Sequence, residues 1–256
     1  MTNEKIRKKS VVLRVLAGSF GIILIVGILS VTNAFVGNPI SAAFASKEIK
    51  KYIDEEYADL DLELEKATYN FKFSEYMAQA RSKDNIDVHF YVYYKNGEVI
   101  RDDYQAYVVD GMNTLDRFGE EYTSYLSDIL KRELPFSFDK VRVDYFKSSY
   151  EHAKDVVVPG MPFDKDIPLP ADATLYLTMN DRSIENIANI LTELHKVMAD
   201  NDCMVGTYGI FAEDEVSLVM VHEVTSEDVE SGRLTELLQE AHGNPETSRI
   251  RVFIKE

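Results

Sequence analysis

The chain has no tryptophan and only one cysteine, Cys203, in 256 residues. A lone cysteine excludes an internal disulfide and a thiolate zinc site, and none lies near the N-terminus to carry a lipid. An exported domain without disulfides points to a bacterium rather than to the eukaryotic secretory route. Without indoles, the surface offers no tryptophan platform that would name a ligand. The glycine-rich phosphate loops are missing too: no Gly-x-Gly-x-x-Gly and no Gly-Lys-Ser/Thr occurs, and no Gly-x-Ser-x-Gly elbow presents a nucleophile.

His89, His152, His195, His222 and His242 are scattered singly, so no two stand at metal-ligand spacing. "VHEV" at 221–224 lacks the second histidine of a His-Glu-x-x-His helix and reads as a strand. "DGMNTLDRFGEE" at 110–121 offers Asp110, Asn113 and Asp116, but not at the intervals of a calcium loop. Turn and cap chemistry accounts for that stretch, with Asn113 or Thr114 as the cap. Asp102-Asp103 is one acidic pair among many and carries no specific signal. Cys203, eight residues after His195, fits packing at the opening of a buried strand better than a catalytic dyad. The spacing therefore singles out no catalytic, cofactor-binding or metal-ligating residue, and no cofactor is expected.

Charge is missing from one stretch altogether. Val15 to Val36, "VLAGSFGIILIVGILSVTNAFV", holds 22 uncharged residues. As a helix rising about 1.5 Å per residue they span about 33 Å, enough for a hydrocarbon core of about 30 Å. Such a run outlasts a signal-peptide core of about 7–15 residues, so it reads as a permanent anchor in the lipid bilayer. Cleavage after Ala45, in the Ala43-Phe44-Ala45 triplet, is the alternative. Lys5, Arg7, Lys8, Lys9 and Arg14 face only Glu4 within residues 1–14, a basic tail that the positive-inside rule keeps in the cytoplasm. The rest then lies outside.

Beyond residue 36 the chain carries 23 basic and 43 acidic side chains, a net charge of −20. Such a surface repels nucleic acid, which is excluded as a partner.

"GNPIS" places Asn38 as N-cap and Pro39 at the first turn of a new helix, with Ile40, Phe44, Ile49, Ile53 and Tyr57 recurring on one face. Alternation predicts strands over 60–73, near 76–82 and over 87–104, with an Asn96-Gly97 hairpin turn. Tyr91 and Tyr93 share a strand face, read as packing under a helix rather than as a stacking platform. An amphipathic helix over 113–134 and a strand over 140–148 complete a first domain, 37–148. Four of the seven prolines fall in 149–172, which reads as a linker. Residues 173–256 read β-α-β-β-α-β, the order of a ferredoxin-like domain, with Ser183 and Ser226 each opening a helix. The expected class is α+β: a transmembrane helix, a helix-plus-antiparallel-sheet domain and a ferredoxin-like domain.

"GNPISAAFASKEIKKYIDEEYADLDLELEKATYNFK" followed by "IDVHFYVYYKNGEVIRDDY" resembles the YfjL-like proteins of Bacillota, single-pass membrane proteins. The resemblance implies an anchored, exported chain and supplies no catalytic residue. The helix followed by strands is also similar in architecture to PepSY-type domains, which implies modulation of an extracellular peptidase. The expected function is a non-enzymatic binding module meeting a protein or peptide outside the cell. The alternatives are the peptidase modulator and an acidic-site hydrolase.

Overall fold

The computed structural model describes the backbone of residues 2–203, 205–215 and 217–255, and, of these, the side chains from Arg14 onward except Leu29 and Ala34. The side chains of Lys5, Arg7, Lys8 and Lys9 lie outside the described residues. The chain divides into two units: residues 1–84 with 89–104, and residues 85–88 with 105–256.

Unit 1 begins with helix α1 (Thr2–Val36). Gly37, at φ +76, breaks it, and helix α2 (Pro39–Glu56) follows at once, capped by Asn38, whose side chain accepts from Ile40 N–H. The Ala43–Ala45 triplet lies inside α2, with Ala45 fully buried. The buried stripe of α2 is Ala45, Ile49 and Ile53, whereas Ile40 and Phe44 are exposed. That departs from the expected apolar face, because Ile40 and Phe44 lie about half a turn from the residues that meet the sheet. Strands β1 (Leu62–Leu64) and β2 (Thr68–Asn70) both pair with one edge of β3 (Glu75–Ser82). Strands β4 (His89–Lys95) and β5 (Glu98–Asp102) continue the antiparallel sheet. Asn96 (φ 54) and Gly97 (φ 99) both take the left-handed conformations that a two-residue hairpin requires.

Unit 2 contains α3 (Met112–Glu133), β6 (Lys140–Tyr145), α4 (Lys147–His152), β7 (Ala171–Tyr176) and α5 (Ile184–Asp200). It continues with β8 (Thr207–Glu213), β9 (Leu218–Val224), α6 (Ser226–Glu230), α7 (Leu234–Gly243) and β10 (Arg251–Lys255). One sheet of order β10-β9-β8-β7-β6 carries the core, with β7 and β8 parallel and the other pairs antiparallel. Helix α5 touches both α3 and α7.

The β-α-β-β-α-β order over 173–256 is present, but β7 and β8 are direct neighbours. A split arrangement would separate them with another strand, so the order alone did not fix the sheet. Nor do the two helical segments match. Ser183 caps the continuous α5, whereas the cap at the second is Thr225, in a capping box with Asp228, and Gly232 (φ 72) breaks the segment into α6 and α7.

The division falls at 104/105 rather than near 148, and residues 149–172 are part of the unit 2 core. Ser149, Ala153 and Val157 are buried, and Phe163 packs on Phe118 and Tyr122 with ring centroids 5.4 and 5.8 Å apart. The prolines hold an extended path, while the apolar residues between them cover α3. Strand β6, placed by its sequence position with the first domain, pairs with β7 instead.

A short excursion, residues 85–88, is secured to unit 2 by Asp87. Its carboxylate accepts from Arg117 Nε (2.8 Å) and Nη2 (2.9 Å), Thr114 Oγ1 (3.1 Å) and Gly160 N–H (2.7 Å). Asn113 donates to the Asp87 carbonyl. Asn113 and Thr114 thus lie inside α3 as partners of Asp87, and the N-cap position is Gly111. Burial alone would raise the Asp87 carboxyl, but the Arg117 guanidinium, Gly160 N–H and Thr114 hydroxyl outweigh it and hold the group below the usual range. A depressed folded value stabilises the fold above the unfolded value of about 3.9 and loses that contribution as pH falls through the folded one. Asp87→Asn is expected to cost about 3–5 kcal/mol at neutral pH, since it leaves Arg117 without its buried partner. In urea unfolding, the gap between wild type and variant should narrow below about pH 4; a gap independent of pH would contradict the assignment.

Candidate functional site

Helix α3 covers the free edge of β6, and a glycine lies at the contact. A Cβ at Gly119 would stand 3.1 Å from the Val143 carbonyl oxygen, so a side chain there would need helix and strand to give by a few tenths of an ångström. Thr123, one turn on, accepts a hydrogen bond from Val143 N–H at 2.8 Å. An edge-strand donor that would otherwise stay open is satisfied.

Beside this contact lies a cleft of about 540 Å³, within the range of small-ligand sites. Leu115, Asp116, Gly119, Glu120 and Thr123 form its helical wall. Residues 142–145 form the strand wall, and Tyr150 of α4 closes one end. Three carboxylates thus face one guanidinium, which disfavours an anionic ligand.

The polar groups are mostly engaged with one another. Tyr150 donates to Asp116 at 2.5 Å, and Arg142 pairs with Asp144 at 2.7 Å. Burial and the bond to Asp116 push the Tyr150 hydroxyl well above its ordinary value, so it stays a donor and cannot serve as a base near neutrality. Glu120 makes no hydrogen bond or ion pair among the described residues. The ring of Tyr145 lies in the same wall; its buried hydroxyl has no hydrogen-bond partner among the described residues, and burial pushes it up to about 12.

The sequence-flagged residues do not converge. His195 Nδ1 meets Tyr208 Oη at 2.9 Å and its Nε2 meets Glu230 at 3.3 Å. Cys203 is buried, with its thiol toward the Asn201 carbonyl and burial raising it above its ordinary value. Both imidazole nitrogens are therefore turned to other partners, and the dyad does not form. Asp110 accepts from Gln105, Asn113 serves Asp87 and Asp116 serves Tyr150, so the oxygens of 110–121, whose spacing already argued against a calcium loop, serve separate partners. Among the described residues, no group of three His, Cys, Asp or Glu side chains converges on a metal position.

Asp102 and Asp103 diverge in the same way. Asp102 accepts from Tyr52 (2.5 Å) and Tyr57 (2.9 Å), while Asp103 accepts from Tyr93 (2.7 Å). Burial and Asp102 push Tyr52 up to about 12. Helix α2 packs on the sheet face of Phe90 and Val92, opposite Tyr91 and Tyr93, so α2 does not supply the helix expected over that pair. Tyr93 instead lies under the Arg101 guanidinium at 3.5 Å, and Arg101 is paired with the buried Glu75.

Residues 12–103 match the family model described as YfjL-like, N-terminal domain, and residues 121–239 match the YfjL-like C-terminal domain. The chain belongs to the YfjL-like family. The interval between the two matches brackets the 104/105 division, and neither match is of the PepSY type. In this YfjL-like chain the strand wall of the cleft, Thr123 and Tyr150 fall within the C-terminal match, and Leu115 to Glu120 just ahead of it. No curated protein and no solved structure matches the chain.

Sequence reasoning missed the cleft because its walls are not neighbours in the chain; Gly119 within an apolar helical stripe was the one visible signal. Thr123→Val is expected to cost about 1–3 kcal/mol in urea unfolding by leaving Val143 N–H without an acceptor. Glu120→Gln should stay within about 0.5 kcal/mol. Equal losses would make Glu120 a structural partner rather than an available cleft group.

Proposed function

We propose that this YfjL-like protein is a membrane-anchored, non-enzymatic binding module. In this reading α1 crosses the bilayer once, residues 1–14 stay in the cytoplasm and both units face outward. One observation carries it: the apolar run Arg14–Asn33 is long enough to span, and none of it is buried against protein. From Val15 to Val36, twelve large apolar side chains are each at least half exposed. At about 1.5–3 kcal/mol for each fully buried side chain, and with some 50–72% of each exposed, leaving them in water would forgo on the order of 10–20 kcal/mol, as much as a typical domain's whole stability. Lipid is the solvent that removes this cost.

Orientation rests on Lys5, Arg7, Lys8, Lys9 and Arg14, and retention on the helical setting of the Ala-x-Ala triplet, since a peptidase needs that segment extended. The binding role rests on the cleft. Its Tyr150 and Thr123 hydroxyls are committed to Asp116 and to Val143 N–H, and burial keeps the unpartnered Tyr145 hydroxyl protonated, so the concavity presents charge and shape rather than an activated nucleophile.

In intact cells the full-length chain should sediment with membranes, resist carbonate extraction and retain its N-terminal residues by mass spectrometry. A tag at the C-terminus should react with an impermeant label applied from outside. Recovery from the medium of a chain starting at Ser46, or labelling from the cytosol only, would defeat the reading.

A further inference from the structure

Helix α1 joins the rest of unit 1 through a fixed corner. Gly37 lies so close to Tyr69 that a Cβ there would stand 2.6 Å from the Tyr69 side chain. Tyr76 Oη accepts from Asn38 N–H at 2.8 Å and reaches the Asn38 carbonyl at 3.2 Å. Tyr69 and Tyr76 are cross-strand neighbours with ring centroids 5.0 Å apart, so one aromatic pair clamps both residues of the corner. The end of α1 is thereby set at a defined height against the β2–β3 turn. Phe35, in the last turn of α1, meets Phe71 of that turn with centroids 5.9 Å apart.

The segments that form this corner, residues 35–47 and 66–74, carry exposed apolar side chains and no acid; Glu98 enters only as the strand partner of Lys95. Ile40, Phe44, Phe71 and Phe73 are 68, 59, 59 and 54% exposed. Ile40, Phe44 and Lys47 share one face of α2. In the turn, Lys72 extends over the Phe73 ring, and Lys95 donates to the Phe73 carbonyl. No acidic residue occurs between Glu4 and Glu48 or between Glu65 and Glu75, in a chain whose remaining surface is strongly acidic.

We propose that Ile40, Phe44, Phe71 and Phe73 form a lipid-binding face that lies in the headgroup–acyl boundary of the bilayer crossed by α1, with Lys47, Lys72 and Lys95 at the phosphates. The inference rests on the anchored reading above and adds a second, interfacial contact to it. Continuity decides the occupant. Phe71 touches Phe35, so any bilayer that covers the end of α1 reaches the turn as well. Aromatic and aliphatic side chains flanked by lysines are the composition that settles at that depth. The absence of carboxylates from these two segments lowers, at this face, the repulsion that a net charge of −20 exerts on a phosphate surface.

Because the chain has no tryptophan, a single Phe→Trp change supplies the only indole emitter. Full-length Phe20→Trp, Phe71→Trp and Phe44→Trp variants would be reconstituted in phosphatidylcholine vesicles carrying acyl chains brominated near the headgroup or near the bilayer centre. The expected result is strong quenching of Phe20→Trp, and blue-shifted emission of Phe71→Trp and Phe44→Trp that is quenched more by shallow than by deep bromines. Quenching of Phe20→Trp with none at Phe71→Trp and Phe44→Trp would overturn the lipid-binding face and leave the anchor standing. Phe71→Trp shielded from aqueous acrylamide yet untouched by bromolipid would assign the face to a protein partner or a second copy and would likewise overturn it. No quenching of Phe20→Trp would remove the anchor and the proposal with it.

Discussion

The buried pair of Asp87 and Arg117 is the constraint on which unit 2 turns. A carboxylate with a side-chain exposure of 2% is tolerable only when its oxygens are satisfied, and here a guanidinium, a hydroxyl and a backbone amide satisfy them. Those partners come from α3 and from the proline-rich stretch, and Arg117 also donates to the Met161 carbonyl at 2.7 Å. One side chain therefore fixes the start of α3, the path of residues 157–161 and the four-residue excursion at 85–88. With α3 fixed, Gly119 and Thr123 face the edge of β6, and the cleft takes its shape.

A second regularity concerns the abundant carboxylates and tyrosines. Tyr52 and Tyr57 donate to Asp102, Tyr93 to Asp103 and Tyr150 to Asp116. Each bond joins separate elements or strand neighbours, and each occupies a carboxylate oxygen that would otherwise be open to a proton or ligand. The tyrosines are raised by burial as well as by the carboxylate in the cases of Tyr52, Tyr57 and Tyr150, which keeps them protonated donors. The pairing therefore serves as cross-linking between elements.

Charge and apolarity are segregated along the chain in a way that the fold preserves. The basic residues of the first turns, the uncharged run and the acid-free segment to Lys47 follow one another in sequence. The corner at Gly37 and Asn38 then folds the β2–β3 turn, which also lacks acids, back beside the end of that run. Glu75, the first carboxylate after the turn, is buried against Arg101 rather than displayed. The acidic surplus belongs to the rest of the surface.

What the sequence determined by itself was local. The uncharged run, the Asn38-Pro39 restart, the Asn96-Gly97 turn, the Ser183 cap and the two strongly amphipathic helices α3 and α5 are signals written within a few residues, and the backbone obeys them there. The tertiary structure decided everything that needs distant residues to meet: β6 beside β7, β7 directly against β8, residues 149–172 as core, Asn113 and Thr114 as partners of Asp87, and the cleft itself. Period and capping describe one element at a time, whereas strand order depends on which edges close with the least unsatisfied backbone and the most buried surface. That choice belongs to the whole chain, and no window of the sequence contains it.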